Sequence, residues 1–215
     1  MRSFITLRNQ DRDPLPEGFA GPDIRYTKAL VKTFLEEYTQ VGDIVFDPFA
    51  GFGTTLIAAE EMGREGWGLE LDPSRAEHVR PILRHPERLL LGDARRLDQY
   101  AIPSFDFSLT SPPYANFGDN HNPLSGYIEL GDYAVYLADL GTIYREIAKR
   151  MKPEGRVVIE VSNLKGDAGL TTLAWDIARE VGKALTFEGE VVVGWEDGYG
   201  YGYDHSYCLV FAKPS

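Results

Sequence analysis

The stretch DIVFDPFAGFGTTLIAAEEM, residues 43–62, decides the fold of this chain. Its first five residues are a short apolar run that ends in an acid, which predicts a strand, and Thr54 to Met62 predict a helix. Gly51 and Gly53 lie in the turn between them, where the missing Cβ lets the backbone turn tightly and approach a ligand. This order is typical of a nucleotide-type cofactor site, and a tight turn without a ligand fits the same pattern.

Two common phosphate-binding patterns do not fit this turn. A dinucleotide-binding GxGxxG needs a third glycine at position 56, where the chain has Leu56. A P-loop needs a lysine directly before its Ser or Thr, and Thr54 is preceded by Gly53. The turn alone therefore does not indicate a polyphosphate ligand.

The rest of the chain repeats the alternation of strands and helices. Further strands are predicted at residues 67–71, 89–91, 105–110, 157–161, 186–195 and 207–213. Further helices are predicted at residues 26–38, 73–83, 133–151 and 171–183. This alternation predicts an α/β fold with a doubly wound, mainly parallel, seven-stranded sheet that ends in a reversed C-terminal hairpin.

Composition indicates a single domain. Residues 1–23 are polar and rich in Pro and Gly, so they predict an irregular N-terminal arm ahead of one domain over residues 24–215. No apolar run reaches 18 residues and the N-terminus lacks an apolar signal core, so we expect neither a membrane span nor secretion. The single cysteine, Cys208, lies in an apolar run, which predicts buried packing in a cytoplasmic protein.

The chain is acidic, with a net charge of −11 at pH 7. Strong non-specific binding to nucleic acid relies on Lys and Arg contacts with phosphate, so the charge counts against it but does not exclude a local basic patch. Two loose basic sets occur at residues 75–96 and 145–156, and each also fits a solvated helix surface. Four histidines and one cysteine show no metal-ligand spacing, so we expect no metal site.

Three acids follow three consecutive predicted strands: Asp47, Glu70 and Asp93. The carboxyl ends of parallel strands meet at one edge of the sheet, where ligands of doubly wound folds bind. Glu70 is placed to accept hydrogen bonds from ribose hydroxyls, and Asp93 from an adenine amino group. A ligand with hydroxyls, an amino group and a cationic sulfonium suits these acids, which points to S-adenosylmethionine.

The sequence TSPPY, residues 110–114, follows the fourth predicted strand. Two prolines fix the backbone and remove two N–H donors, so that carbonyl groups point outward from a rigid turn. A hydroxyl and such a carbonyl accept both hydrogens of an amino group, and Tyr114 offers an aromatic face to a planar ring. These acceptors return electron density to the nitrogen of a base, which then attacks a sulfonium methyl in line. The loop thus predicts methyl transfer to an exocyclic amino group, without covalent attack by Cys208.

DPFAGFGTT and TSPPY resemble the cofactor and catalytic motifs of the S-adenosylmethionine-dependent DNA amino-methyltransferases, which make N4-methylcytosine or N6-methyladenine. The resemblance runs from about residue 24 to residue 213 and implies a class I, Rossmann-like fold. Two weaker resemblances accompany it. RYTK at residues 25–28 resembles the segment that holds the cofactor's carboxylate, and DHSY at residues 204–207 resembles a motif near the target-base pocket.

The resemblance implies roles for individual residues. The expected catalytic residues are Ser111, Pro112, Pro113 and Tyr114. The residues expected to bind the cofactor are Tyr26, Thr27, Asp47, Pro48, Phe49, Ala50, Gly51, Gly53, Thr54, Thr55, Glu70, Leu71, Asp93, Ala94 and Thr110. The candidates for the substrate pocket are Phe117, Tyr203 and His205, and the loop with Tyr199, Tyr201 and Tyr203 is expected to close over a flipped-out base.

In this family a Ser-Pro-Pro-Tyr loop more often accompanies cytosine N4 methylation, and an Asp- or Asn-Pro-Pro-Tyr loop adenine N6 methylation, so Ser111 favours cytosine. Many Ser-Pro-Pro-Tyr relatives have the catalytic motif first, whereas here the cofactor motif comes first. No sizeable target-recognition region is evident beyond residues 115–132 and 195–206. The sequence therefore leaves RNA open beside DNA as the partner, and a homodimer is also compatible with it. Two other functions stay open: a non-catalytic cofactor-binding subunit, and amide methylation, which Ser111 disfavours.

Overall fold

The computed structural model describes residues 2–9, 19, 25–166 and 169–214. Eight strands form its main sheet: β1 (Phe4–Leu7), β2 (Ile44–Asp47), β3 (Glu65–Glu70), β4 (Leu89–Leu91), β5 (Phe105–Thr110), β6 (Met151–Val161), β9 (Thr186–Trp195) and β10 (His205–Ala212). A separate hairpin pairs β7 (Leu164–Gly166) with β8 (Gly169–Thr171). The order across the main sheet is β1-β9-β10-β6-β5-β2-β3-β4.

The main sheet is parallel except at one strand. β10 runs antiparallel to both of its neighbours, β6 and β9, whereas the other neighbouring pairs are parallel. This confirms the mainly parallel sheet and the reversed C-terminal hairpin. The carboxyl ends of the parallel strands consequently share one edge, where the loops with the predicted motifs begin.

Helices cover both faces of the sheet. They are α1 (Lys28–Tyr38), α2 (Thr54–Glu61), α3 (Pro73–Val79), α4 (Tyr133–Arg150) and α5 (Leu173–Val181). Val158 of β6 is buried with side chains of α1, and the next residue, Ile159, is buried with side chains of α4 and α5. Because successive residues of a strand face opposite sides, this confirms the doubly wound arrangement. No helix in the described ranges is long and apolar enough to cross a membrane.

The N-terminal segment differs from its prediction. Phe4–Leu7, within the expected irregular arm, forms the edge strand β1 and raises the sheet from seven strands to eight. Phe4 pairs with Val192 of β9, near the other end of the chain, and its side chain is largely exposed. An edge strand with an exposed face and a distant partner carries no strong local pattern, so the sequence did not reveal it. Residues 1, 10–18 and 20–23 of the expected arm lie outside the described residues.

Several boundaries differ from prediction, and β6 begins at Met151 instead of residue 157. The helix expected to reach residue 83 ends at Val79, and a short 3-10 turn covers Arg80–Ile82. Pro81 explains this, because proline has no N–H to continue the helical hydrogen bonds. The hairpin of β7 and β8 was not predicted, since each strand has only three residues.

Candidate active site

The glycine-rich loop after β2 lies at the carboxyl edge of the sheet and leads into α2. Its backbone has positive φ at Gly51 (+54°) and Gly53 (+75°). A Cβ added at Gly53 would lie 2.6 Å from Cγ1 of Val79. Gly53 is also the N-cap of α2, so no side chain there caps the first N–H groups of the helix. The conformation of this loop therefore requires glycine, as the sequence indicates.

Glu70, at the end of β3, holds this loop from the neighbouring strand. Its Oε2 accepts a hydrogen bond from the N–H of Gly51 at 2.6 Å, and its Oε1 accepts one from the N–H of Asp72 at 2.8 Å. Burial raises the pKa of Glu70, and the two backbone donors oppose that rise. Each oxygen keeps a further lone pair, so the carboxylate can also accept a hydrogen bond from a ligand hydroxyl.

Asp47 joins three parts of the site. Its Oδ1 accepts hydrogen bonds from the Thr110 hydroxyl at 2.5 Å and the Phe49 N–H at 3.0 Å, and its Oδ2 accepts one from the Tyr26 hydroxyl at 3.0 Å. From the sequence we expect Asp47 to face the crevice, but its side chain is fully buried. Burial raises its pKa, and the three donors oppose the rise. Its partners are the protein's own donors, so in this structure Asp47 fixes the loops.

The segment before α1 supplies the next contacts. The Tyr26 hydroxyl lies 2.6 Å from Oγ1 of Thr55 in addition to its bond with Asp47, and burial raises the pKa of Tyr26 well above 10. The neighbouring Thr27 is the N-cap of α1, where its side chain accepts a hydrogen bond from the N–H of Leu30 at 3.2 Å. Tyr26 thus reaches the cofactor loop, whereas Thr27 starts the helix.

Asp93, after β4, is engaged by a neighbouring arginine. Its Oδ1 accepts a hydrogen bond from the backbone N–H of Arg95 at 2.9 Å, and its Oδ2 lies 2.7 Å from an Nη of the Arg95 guanidinium. The same guanidinium donates to Glu129 at 2.6 Å, and these bonds raise the pKa of Arg95. Arg95 therefore ties an expected cofactor acid to the loop of residues 115–132.

The remaining residues expected at the cofactor belong to the same loops. Pro48, Ala50 and Ala94 are buried, Phe49 and Thr54 are half-buried, and Leu71 is exposed.

The catalytic loop follows β5 directly. Pro112 is buried, and Ser111, Pro113 and Tyr114 are half-buried. The Tyr114 hydroxyl donates to Oε2 of Glu160 at 3.2 Å and lies 2.9 Å from the Tyr199 hydroxyl. Burial is the main reason that the pKa of Tyr114 is raised well above 10. The loop is thus held at Tyr114 and, through Thr110 and Asp47, at its start.

Glu160 is a site residue that the sequence reasoning missed. It lies in β6, is only 1% exposed, and accepts a hydrogen bond from the Tyr199 hydroxyl at 2.8 Å besides the bond from Tyr114. Burial raises the pKa of Glu160, and its hydrogen bonds with hydroxyl groups oppose that rise. The one available signal was an acid within the apolar run VVIEV, residues 157–161.

Two tyrosines of residues 198–203, here named the Gly/Tyr loop, pack on the catalytic loop. Besides the Tyr199 hydroxyl, the Tyr201 ring contacts Tyr114, with centroids 5.3 Å apart and an interplanar angle of 50°. Tyr199 also stacks on Trp195, with centroids 5.8 Å apart. The Gly/Tyr loop therefore reaches the site through Tyr199 and Tyr201.

The three residues expected in the substrate pocket contact side chains outside the catalytic loop. The Tyr203 ring covers the Lys165 ammonium at 4.0 Å, and Nε2 of His205 lies 3.1 Å from the Tyr207 hydroxyl. Phe117 is exposed and its ring packs edge-on against Tyr133, with centroids 4.5 Å apart. These contacts do not bring the three residues onto the catalytic loop.

Cys208 is buried, as predicted. It is 0% exposed in β10 and is paired in register with Glu160. Burial, with the nearby Glu160, raises the pKa of the thiol well above its usual value. The thiolate is therefore disfavoured at this position.

Known proteins resemble this chain in two ways. Residues 17–80 match the family model of the N6/N4 methyltransferases, a DNA methylase family. The type II methyltransferase M.MjaII of Methanocaldococcus jannaschii is 35% identical over 71 residues, which are 33% of this chain and 13% of that protein. Both matches show similarity to DNA amino-methyltransferases over about a third of the chain or less.

Solved structures share the fold over most of the chain. TrmN from Thermus thermophilus aligns with a TM-score of 0.62 and 21% identity, over 87% of this chain and 49% of that one. The glycopeptide N-methyltransferase MtfA, solved with S-adenosylmethionine, aligns with a TM-score of 0.60 and 14% identity, over 94% and 100% of the two chains. The fold is the class I methyltransferase fold.

The site residues fit S-adenosylmethionine, the cofactor that these matches indicate. Asp47 and Glu160 are buried carboxylates whose described partners are hydroxyl and N–H groups, so a cationic ligand nearby is electrostatically favoured. Glu70 and Asp93 follow neighbouring strands at the same edge. Glu70 keeps lone pairs that can accept hydrogen bonds, whereas both oxygens of Asp93 already accept hydrogen bonds from Arg95. The loop of residues 47–55, with these two acids, would hold the cofactor.

Proposed function

We propose that this protein is an S-adenosylmethionine-dependent methyltransferase that acts on an exocyclic amino group in DNA, with N4 of cytosine as the preferred target. One observation carries the proposal: the buried hydrogen bond between Thr110 and Asp47 joins the catalytic loop to the cofactor loop. A methyl donor held by the cofactor loop then lies beside an amino group held by the catalytic loop. Such positioning supplies most of the acceleration expected for a direct transfer.

When bound, S-adenosylmethionine supplies an electrophilic methyl group. The residues of this chain act on the nitrogen that receives it. The Ser111 hydroxyl and a carbonyl of the proline-fixed turn accept the two amino hydrogens, which increases electron density on nitrogen. Tyr114 stacks on the base ring and holds the nitrogen in line.

The aromatic contacts supporting the proposal also revise the expected pocket. Tyr199 and Tyr201 touch Tyr114, so we assign them the wall of the base pocket in place of Tyr203 and His205. A base that enters the pocket stacks on Tyr114 and meets these rings, as a flipped-out nucleotide requires.

Ser111 supports cytosine N4 over adenine N6, because relatives with serine at this position more often modify cytosine. The matching family model covers both products and leaves this choice to experiment.

Phosphate binding is not supported by the basic set at residues 145–156. Lys152 pairs with Asp106 at 2.7 Å, and Arg156 pairs with Glu188 at 2.7 Å. These cations are neutralised within the chain, and β6 begins there, at the end opposite the site. We therefore propose that loops around the site, or a second copy of the chain, contact the DNA.

The test is transfer of label from S-adenosylmethionine carrying a labelled methyl group to unmethylated, amplified genomic DNA. Digestion to nucleosides then identifies the product. We expect label in N4-methylcytosine. Label in N6-methyladenine would overturn the base assignment, and label that appears only when transfer or ribosomal RNA is supplied would overturn DNA as the polymer. Cofactor binding without any transfer would favour a non-catalytic subunit.

A further inference from the structure

The chain between the catalytic loop and α4 contains a compact segment, residues 120–131, here named the cover segment. Its two ends are joined by a hydrogen bond from the N–H of Gly131 to the carbonyl of Asn120 at 3.1 Å. Inside it, the carbonyl of Asn122 accepts a hydrogen bond from the N–H of Tyr127 at 3.2 Å, and Asn122 is only 1% exposed. Tyr127 has a φ of +65°, which side chains other than glycine rarely adopt. The cover segment is therefore held in a defined shape by its own hydrogen bonds.

The cover segment lies against the ends of β3 and β4. A Cβ added at Gly126 would lie 3.5 Å from Cδ2 of Leu71, the residue after β3. At a second contact, the Glu129 carboxylate accepts two hydrogen bonds from the Arg95 guanidinium, at 2.6 and 3.0 Å. Leu71 and Asp93 are both expected to bind the cofactor, and Arg95 is bonded to Asp93. The cover segment therefore borders the cofactor site at the edge of the sheet where these two strands end.

Arg95 is shared between the cover segment and the cofactor site. Both oxygens of Asp93 accept hydrogen bonds from it, and its Nη1 lies 3.9 Å from Oδ2 of Asp139 in α4. Asp139 in turn accepts a hydrogen bond from Nδ2 of Asn122 at 2.7 Å. The planar guanidinium of arginine carries five N–H groups and can bridge several carboxylates in this way, whereas a lysine ammonium cannot reproduce the paired geometry.

The two sides of this bridge differ in their exposure to water. The side chains of Asp93 and Arg95 are 15% and 18% exposed, whereas that of Glu129 is 57% exposed. Water and salt weaken an exposed ion pair more than a shielded one. The pair of Arg95 with Glu129 therefore opens at a lower cost than the pair of Arg95 with Asp93.

We propose that the cover segment forms an outer wall of the cofactor site, and that Arg95 is the positioning residue that fastens this wall through Glu129. The wall retains the bound cofactor, and it opens at the Arg95–Glu129 pair when S-adenosylmethionine and S-adenosylhomocysteine exchange. Its main effect is on the rate at which the cofactor dissociates. This inference rests on the cofactor part of the proposed function and not on the target base.

The experiment compares the dissociation rate of S-adenosylhomocysteine from Glu129→Gln with that from a matched control, Glu65→Gln. Glu65 pairs with Arg88 at 3.2 Å, and the Arg88 side chain is 18% exposed, like that of Arg95. The control lies at the start of β3, at the end of the strand opposite the site. We expect dissociation from Glu129→Gln to be about three- to tenfold faster than from the wild type, and Glu65→Gln to stay within about twofold of the wild type. Surface plasmon resonance measures these rates.

Salt and a second substitution separate this role from a general loss of structure. An increase from about 50 mM to about 500 mM salt should speed dissociation from the wild type by about threefold, because it screens the exposed pair. The same increase should hardly change the rate for Glu129→Gln. Arg95→Lys keeps the charge without the paired geometry, so it should release S-adenosylhomocysteine about as fast as Glu129→Gln, and the double variant should add little.

Three outcomes would overturn the assignment: wild-type dissociation from Glu129→Gln, an equal acceleration in Glu65→Gln, or no binding of S-adenosylhomocysteine by the wild type. The measurements use no nucleic acid. Faster release from Glu129→Gln by a protein that transfers no methyl group to DNA would therefore support the wall and overturn the proposed function.

Discussion

The two buried glutamates of the site, Glu70 and Glu160, are satisfied in different ways. Glu70 accepts hydrogen bonds from two backbone N–H groups, one of them only two residues away. Glu160 accepts them from side-chain hydroxyls that lie 46 and 39 residues away along the chain. Backbone donors are fixed in direction, whereas hydroxyls rotate. The hydrogen bonds to Glu70 are therefore fixed in direction. The hydroxyl groups around Glu160 are instead oriented by the charge of its side chain.

The same division appears in the similarity to known proteins. The family match covers residues 17–80, which hold α1, β2, α2, β3 and α3. Glu160 and the Gly/Tyr loop lie beyond it. The family similarity therefore covers the glycine-rich loop and Glu70, but not Glu160 or the Gly/Tyr loop.

The largest effect is expected on the catalytic side. Tyr114→Ala removes the stacking ring and should lower kcat/KM by about 100-fold, while S-adenosylhomocysteine still binds. Tyr114→Phe keeps the ring and loses only the hydroxyl, so its loss should stay below about tenfold. Steady-state kinetics and calorimetry check both. Loss of cofactor binding in Tyr114→Ala would show that Tyr114 also supports the cofactor site.

The next effect is expected in the cofactor loop. Gly53→Ala combines a positive φ with a Cβ that meets Val79, and should destabilise the fold by about 2–4 kcal/mol and weaken cofactor binding. Gly42→Ala is the matched control, because Gly42 has φ of +88° with nothing within 4 Å of the added Cβ. It should lose only about 1–2 kcal/mol. Urea unfolding measures both, and equal losses would contradict the close packing at Gly53.

Exchange of each glutamate for glutamine tests the comparison directly. In Glu70→Gln the amide NH₂ must face one of the fixed N–H donors, so we expect a loss of about 1–3 kcal/mol in the free energy of unfolding. In Glu160→Gln the hydroxyl partners rotate and a buried charge disappears, so we expect no loss and a gain of up to about 2 kcal/mol at pH 8. Similar losses in the two variants would remove the distinction between fixed and rotating donors.

The gain in the free energy of unfolding of Glu160→Gln should depend on pH. Because burial raises the pKa of Glu160, the folded chain holds this proton more tightly than the unfolded chain does. Wild-type stability therefore falls as the pH rises from the usual glutamate value of 4.5 through the raised pKa. The advantage of Glu160→Gln should be larger at pH 8 than at pH 5, and urea unfolding at the two pH values measures it.

The smallest effect concerns the Gly/Tyr loop. Tyr199→Phe removes the 2.8 Å hydrogen bond to Glu160 and should reduce kcat by about three- to tenfold, which corresponds to about 1 kcal/mol. Tyr203→Phe, at a ring that packs on Lys165, should change kcat less than about twofold. A larger loss of kcat in Tyr203→Phe than in Tyr199→Phe would favour Tyr203 over Tyr199 as the pocket residue.

The sequence by itself determined the alternation of strands and helices, the glycines of the cofactor loop and the acids that follow the strands. These features depend on short-range geometry. A positive φ, a strand-to-helix turn and an acid at a strand end each leave a pattern within a few neighbouring residues, which is why the sequence alone indicates Gly53 and Glu70.

Only the tertiary structure decided the rest. Strand β1 pairs with β9 at the far end of the chain, and Asp47 is buried beneath the loops it was expected to line. Glu160, in the strand beside β5, accepts a hydrogen bond from Tyr114. The partners in each of these contacts are far apart in the sequence, so no local pattern identifies them. An acid inside an apolar strand shows that a partner must exist, but only the packing of β6, the catalytic loop and the Gly/Tyr loop shows which partner it is.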